Sequence, residues 1–80
     1  MLSMKMPLSD MDIGRSGVII SISGGKKTVA KLESLGIRAG ALIVKKNALP
    51  AKGPLIVRVA NSEVAIGYAL AKKIWVEAKG

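Results

Sequence analysis

The alternation of apolar and polar positions along the chain predicts five short strands. The clearest is 17–23, where Val18, Ile20 and Ile22 fall on one face and are expected in the core. The other four strands are predicted at 41–47, 54–60, 63–66 and 74–78. Short strands separated by tight turns predict a mainly β fold, a small and strongly bent barrel of about five strands.

One short α-helix is predicted between the first two strands. Val29, Leu32 and Leu35 recur at helical spacing, and Thr28 precedes them as a candidate N-cap. About two helical turns are too few to be stable alone, so packing must hold this helix. A further helical turn is predicted at 67–73, before the last strand.

Two glycines follow the predicted helix, and both are interpreted as structural turn residues. Gly36 falls at the C′ position, which favours left-handed backbone, and Leu32 and Ile37 would then make the contact of a Schellman motif. Gly40 falls at the third position of a type II turn over 38–41, where φ is positive. Glycines that bind phosphate precede a helix rather than follow one, so a ligand site is not expected here.

The expected core draws on every predicted element. It consists of Val18, Ile20, Leu32, Leu35, Ile43, Val57, Val59, Ile66, Ile74 and Val76. Residues 1–6 are expected to be a frayed N-terminal tail before a single domain that covers 7–80. Leu8 and Ile13 are the expected anchors of the turn-rich segment after that tail.

Composition adds a strong positive charge to this picture. The 80 residues carry 13 basic and five acidic side chains, and the net charge of +8 favours an acidic partner such as nucleic acid, an anionic membrane face or an acidic protein. The alternative is that dispersed lysines keep a small barrel soluble and its strand edges unpaired. The basic pairs are Lys26-Lys27, Lys45-Lys46 and Lys72-Lys73, and none extends into a longer run.

The candidate chemistry is limited because the chain has no His and no Cys. These side chains supply most acid–base, nucleophilic and soft metal-binding groups. An enzyme is therefore not expected, and no cofactor or metal site is predicted. Asp10 and Asp12 lie in a turn-rich segment, where Asp commonly serves turn geometry. No signal peptide and no apolar run of about 18 residues is visible, so a cytoplasmic protein is expected.

Short motifs follow one another in a characteristic order over about residues 8–77. The most specific are Lys31-Leu32, Leu35-Gly36-Ile37 and Gly40, and weaker ones lie at 53–54, 64–66 and 71–76. In order and spacing they resemble the FeoA family, named for ferrous iron transport protein A. Departures from the family pattern are Ala39 in place of the usual Pro, Lys31 in place of Arg, and Gly67 where a basic residue is common.

The resemblance implies an SH3-like barrel and an accessory role in ferrous iron uptake. It also implies action together with FeoB, a large membrane transporter with a cytoplasmic GTPase domain. The implied partner is therefore a FeoB-type membrane iron transporter, contacted from the cytoplasmic side. The same domain occurs in iron-dependent repressors, but the absence of a preceding DNA-binding helix-turn-helix favours the transport partner.

Two surfaces are candidate docking sites for that partner. The first is the loop 48–53, where Leu49 and Pro50 have no place in a strand pattern. The second combines aromatic and basic side chains, as transient interfaces often do, and consists of Tyr68, Lys72, Lys73 and Trp75. Trp75 is expected to be partly exposed, opposite the core face of its strand.

The alternative function is that of a basic SH3-like barrel binding nucleic acid. The charge required for it is present. The stacking platform is poor, however, because Tyr68 and Trp75 are the only aromatic residues. Nucleic acid is therefore the less favoured partner.

Overall fold

The chain folds into a single antiparallel sheet of six strands with two short helices, seen in a computed structural model that describes residues 3–79. The strands are β1 (Ser3–Pro7), β2 (Ser16–Ile22), β3 (Leu42–Ala48), β4 (Leu55–Val59), β5 (Ser62–Ile66) and β6 (Ile74–Lys79). The helices are α1 (Lys26–Ser34) and α2 (Tyr68–Ala71), and a 3-10 turn covers Leu8–Asp10. The strand order is β1-β6-β2-β3-β4-β5, and the predicted mainly β class is confirmed. Within the described residues, neither helix has the length and hydropathy to cross a bilayer.

The start of the chain is the largest departure from the sequence prediction. The frayed tail expected over 1–6 is wrong for residues 3–6, which belong to β1 and pair with β6, whereas residues 1 and 2 lie outside the described part. Met6 is half-buried against the core, and Met4 is exposed. The sequence pattern did not predict this strand because β1 has no β-branched residue and only one inward-facing apolar side chain.

A β-bulge interrupts the pairing of β2 with β6. Ile19 lies opposite Val76, and Ser21 lies opposite the adjacent residue Trp75. Two steps along β2 therefore match one step along β6, and Ile20 is the extra residue. The regular alternation of faces along β2 is broken at this point.

The bulge changes which side chains of β2 enter the core. Ile19 is buried before the bulge, and Ile22 packs against the core after it. Val18 and Ile20 are only half-buried, so the prediction that these two are core residues is wrong. Uninterrupted alternation places 18, 20 and 22 on one face, and one inserted residue removes that relation.

A second bulge lies in β3. Lys45 pairs with Val57 and Asn47 with the adjacent Ile56, which leaves Lys46 as the extra residue. Lys45, just before the bulge, is buried like Ile43 two residues earlier, whereas Lys46 and Asn47 are exposed. The two lysines are neighbours in sequence but lie on opposite sides of the sheet.

Helix α1 begins earlier than the sequence indicates. Its N-cap is Gly25 and not Thr28, and no side chain caps it. At the other end, Leu35 is the C-cap residue and is 42% exposed, so its predicted place in the core is wrong. The chain turns after Leu35, and Ile37 is buried next to the helix end in its place.

The helix stop has the predicted Schellman geometry. The Ile37 N–H donates to the Leu32 carbonyl and the Gly36 N–H to the Glu33 carbonyl, both at 3.0 Å. Gly36 has φ +89°, and Leu32 and Ile37 are both buried. Gly40 follows with φ +93°. The predicted left-handed backbone at both glycines is confirmed, and their purely structural role stays a prediction.

Most of the predicted core residues are buried. They are Leu32, Ile43, Val57, Val59, Ile66, Ile74 and Val76. Leu8 is also buried, as expected of an anchor, but Ile13 is 57% exposed and the prediction for it is wrong. The core is completed by buried residues that the expected core did not include, namely Met11, Ile19, Ile37, Leu55, Ala71 and Ala78.

We expect Val57→Ala to lower the free energy of unfolding by about 1–3 kcal/mol, because it opens a cavity between buried side chains. Val57 is fully buried, whereas Val44 lies on the outer face of β3 and is half-buried. Val44→Ala is the matched control, with an expected loss of less than about 1 kcal/mol. Urea unfolding measures both losses, and equal losses would contradict this assignment of faces.

Candidate functional site

The connection between β3 and β4 is a tight hairpin. The Gly53 N–H donates to the Pro50 carbonyl at 3.2 Å. Between them, Ala51 and Lys52 have φ of +58° and +57°, which is the geometry of a type I′ turn. Leu49 is 47% exposed and Pro50 is exposed, so both project from the hairpin as the sequence indicates.

Helix α2 lies beside the tip of this hairpin. Leu55 pairs with Ile66, so the residues before β4 and those after β5 meet at one end of the sheet. The Lys52 ammonium is 5.9 Å from the centroid of the Tyr68 ring, within the range of a cation–π contact. The structure thereby joins part of each predicted surface. We name the result the hairpin–helix surface, which consists of Leu49, Pro50, Lys52 and Tyr68.

Trp75 lies on the outer face of β6, among other neighbours. Its partners across the sheet are Pro7 of β1 and Ser21 of β2. The side chain is 37% exposed, and the residues on either side of it, Ile74 and Val76, are fully buried. The predicted partial exposure of Trp75 is confirmed. Lys72 and Lys73 are both exposed and connect α2 to β6.

Sequence reasoning misses a groove of about 510 Å³ on the outer side of the sheet. Its lining residues are Ala41, Leu42, Val44, Arg58, Ala60 and Asn61. Leu42 is 60% exposed, the highest value among the large apolar side chains that the structure describes. A signal for it exists, because the run 41–44 is apolar on both faces and only one face of a strand can enter the core.

Lys45 is the buried charged residue of the described chain, with 5% exposure. Its Nζ donates hydrogen bonds to the Met11 carbonyl at 2.6 Å and to the Ser9 carbonyl at 3.1 Å. Burial lowers the pKa of Lys45 from its usual 10.5, and the carboxylates of Asp10 and Asp12 oppose that shift. The Lys45 ammonium therefore connects β3 to the segment that follows β1.

The position of Lys45 bears on the nucleic-acid hypothesis. Lys45-Lys46 is one of the basic pairs in the sequence, but Lys45 points inward and only Lys46 is exposed. A buried ammonium that binds two carbonyl oxygens is not available to phosphate. Because of this, a charge reversal at Lys45 would report on folding and not on nucleic-acid binding.

The absence of a ferrous site stays a prediction. Among residues 3–79, no cluster of three or more His, Cys, Asp or Glu side chains is placed to hold a metal ion. We expect anaerobic calorimetry to show Fe(II) binding no tighter than about millimolar, since only carboxylates are available in a cationic field. Asp10→Asn with Asp12→Asn should leave the heat of titration unchanged. A stoichiometric micromolar site would contradict this expectation.

Comparison with known proteins assigns nearly the whole fold to one family model. Residues 6–78 match the model of the FeoA domain. A crystal structure of an iron uptake regulatory protein, FeoA, is 37% identical, with 95% of this chain and 100% of that chain covered and a TM-score of 0.88. Among curated proteins, no relative matches the chain.

Two further structures show how widely the fold occurs. FeoA of Stenotrophomonas maltophilia, complexed with zinc and described as an SH3 domain protein, is 25% identical over 89% of this chain and 88% of its own, with a TM-score of 0.75. A manganese-dependent transcriptional repressor is 20% identical over 99% of this chain and 44% of its own, with a TM-score of 0.86, and shares the fold alone. The SH3-like barrel is confirmed. The chain belongs to the FeoA family, which is associated with ferrous iron transport.

Proposed function

We propose that this protein is a non-enzymatic accessory protein of ferrous iron uptake that acts by contact with a FeoB-type membrane transporter on its cytoplasmic side. The observation that carries the proposal is membership of the FeoA family over residues 6–78. The composition supports a role without chemistry of its own, because the chain has no His and no Cys. The iron is then the cargo of the partner.

The hairpin–helix surface is the proposed docking site. Leu49 and Pro50 offer exposed apolar area, and Tyr68 offers a ring that is held in place by its packing against the core. Lys52 adds a basic group beside that ring. An apolar and aromatic centre with a charged edge is typical of transient interfaces. The turn is closed by a hydrogen bond, so little conformational entropy is lost on binding.

The test compares two exposed leucines on different surfaces. Leu49→Asp should reduce capture of a purified, tagged FeoB-type transporter by about tenfold or more, since it places a charge at the centre of the interface. Leu42→Asp, in the groove, is the matched control and should leave capture unchanged. Tyr68→Ala should also reduce capture, and thermal melts establish that each variant is folded.

Each outcome supports or contradicts a stated part of the proposal. Normal capture by Leu49→Asp with loss of capture by Leu42→Asp would move the docking site to the groove. If the unaltered protein neither binds the transporter nor supports iron-dependent growth in cells that lack their own copy, the proposed function itself is wrong.

A further inference from the structure

Four exposed lysines lie on the two chain segments that meet where β2 leaves the sheet and β6 enters it. Lys26 and Lys27 lie in the first turn of α1, and Lys72 and Lys73 follow α2. The Ser23 N–H donates to the Lys73 carbonyl at 2.8 Å, which joins the two segments. We name these four lysines the lysine patch.

The contacts of Gly24 show how close the two segments are. A Cβ on Gly24 would lie 3.8 Å from Cδ of Lys73 and 3.4 Å from Cγ2 of Thr28. The stem of Lys73 and the first turn of α1 therefore both lie close to this one glycine. Neither α1 nor α2 has an acidic residue in its first turn. Neither first turn therefore supplies a carboxylate to these lysines.

The tryptophan of the chain stands beside this patch. Trp75 is two residues past the patch along β6, on the outer face, and 37% of its side chain is exposed. Its neighbours across the sheet are the small side chains of Pro7 and Ser21. The next outward residue of β6 is Glu77, which lies opposite Lys5 of β1.

We infer that the lysine patch and Trp75 bind the surface of a membrane rich in anionic lipids. Each lysine near such a surface strengthens binding by about fivefold. Lysine stems and an indole ring both suit the headgroup level, where an apolar body can be buried while the polar end stays hydrated. The protein would then be concentrated at the membrane in which its proposed partner resides.

Nucleic acid fits the same surface less well. Single-stranded nucleic acid is held by several bases stacked on exposed rings. Trp75 is the ring at the patch, and the other aromatic side chain, Tyr68, is half-buried next to the Lys52 ammonium. The inference goes beyond the proposed function and is independent of it, because pure lipid vesicles contain no transporter.

The experiment uses the full chain and its own tryptophan as the reporter. Vesicles of equal parts phosphatidylcholine and phosphatidylglycerol should shift the Trp75 emission to shorter wavelength, and lipids brominated along the acyl chain should quench it. Vesicles of phosphatidylcholine alone should produce neither change. Raising the salt from low to several hundred millimolar should release the protein, because the attraction between lysines and headgroups is screened.

A matched pair of variants separates the patch from the total charge. Changing Lys26, Lys27, Lys72 and Lys73 together to Gln should weaken the affinity for anionic vesicles, measured by sedimentation, by about 100-fold or more. Each lysine contributes a factor of about five, and the four factors multiply. Changing Lys31, Arg38, Lys46 and Lys52 to Gln removes the same charge from other exposed positions and should weaken vesicle binding by less than about tenfold.

Three results would overturn the inference. They are no binding to the anionic vesicles at low salt, an equal loss in the two fourfold variants, and mixed-sequence RNA that binds more tightly than the vesicles through the same four lysines. The last result would make the patch a nucleic-acid site. None of these three results would contradict the proposed docking on the transporter, because that proposal is tested with variants of the hairpin–helix surface.

Discussion

Lys45→Glu is expected to lower the free energy of unfolding by at least about 3 kcal/mol, a large share of the stability of a domain this small. The substitution removes the donor of two hydrogen bonds, to the Met11 carbonyl at 2.6 Å and the Ser9 carbonyl at 3.1 Å. It also places a buried carboxylate against those two carbonyl oxygens and near Asp10 and Asp12, all of which repel it.

The neighbouring residue provides the control for this prediction. Lys46→Glu makes the same change of charge one residue away, at the exposed bulge position, and should change stability by no more than about 0.5 kcal/mol. Urea unfolding followed by circular dichroism measures both variants. Similar midpoints for Lys45→Glu and Lys46→Glu would show that Lys45 is not buried as described.

Gly36→Val is expected to cost about 2–3 kcal/mol through backbone strain and a close contact. Gly36 has φ +89°, a conformation that a β-branched residue rarely adopts. A Cβ at this position would also lie 3.2 Å from the Cβ of Ala60, in the turn between β4 and β5. Gly36 therefore has left-handed backbone and also packs closely against the turn between β4 and β5.

Gly40→Val separates the cost of backbone strain from the cost of the close contact with Ala60. Gly40 has a similar φ of +93°, but a Cβ there would meet nothing within 4 Å. The loss for Gly40→Val should be smaller than that for Gly36→Val by the cost of the Ala60 contact, about 1 kcal/mol. Thermal and urea melts give both values. If Gly36→Val retained full stability, the assignment of Gly36 as a structural residue would be wrong.

The helix stop was predictable from the sequence because its causes are local. Leu32, Gly36 and Ile37 lie within six residues, and the hydrogen bonds that define the motif join residues of the same segment. The start of α1 was less predictable, since Gly25 serves as N-cap without a side-chain hydrogen bond and leaves no sequence signature. Residues close in sequence therefore determine where α1 ends, but they give no signal for where it begins.

The strand faces were predictable only where pairing is regular. In β4, Val57 and Val59 alternate into the core as expected. In β2, the extra residue Ile20 is defined only by the pairing with β6, some 55 positions later in the chain, and periodicity within one strand cannot show it. The prediction missed β1 for the same reason. This segment is a strand because it pairs with β6, and that pairing cannot be seen in its own sequence.

The candidate site was predicted in part. The projection of Leu49 and Pro50 followed from a hairpin with no strand pattern at its tip. The approach of Lys52 to Tyr68 depends on the pairing of β4 with β5, which the sequence does not state. The sequence contains a signal for the inward position of Lys45, because Lys45 lies two residues after the inward residue Ile43. The residue type points the other way, since lysine side chains are rarely buried.

The two bulges also bear on how the chain can change its length in evolution. Without Ile20, the inward residues Ile19 and Ile22 would still alternate with the outward Ser21, and β2 would become a regular strand. Loss of Lys46 would do the same for β3, with Lys45 and Ala48 keeping their faces. Relatives that are one residue shorter at either point would therefore preserve the same core, and an alignment should place its gaps there.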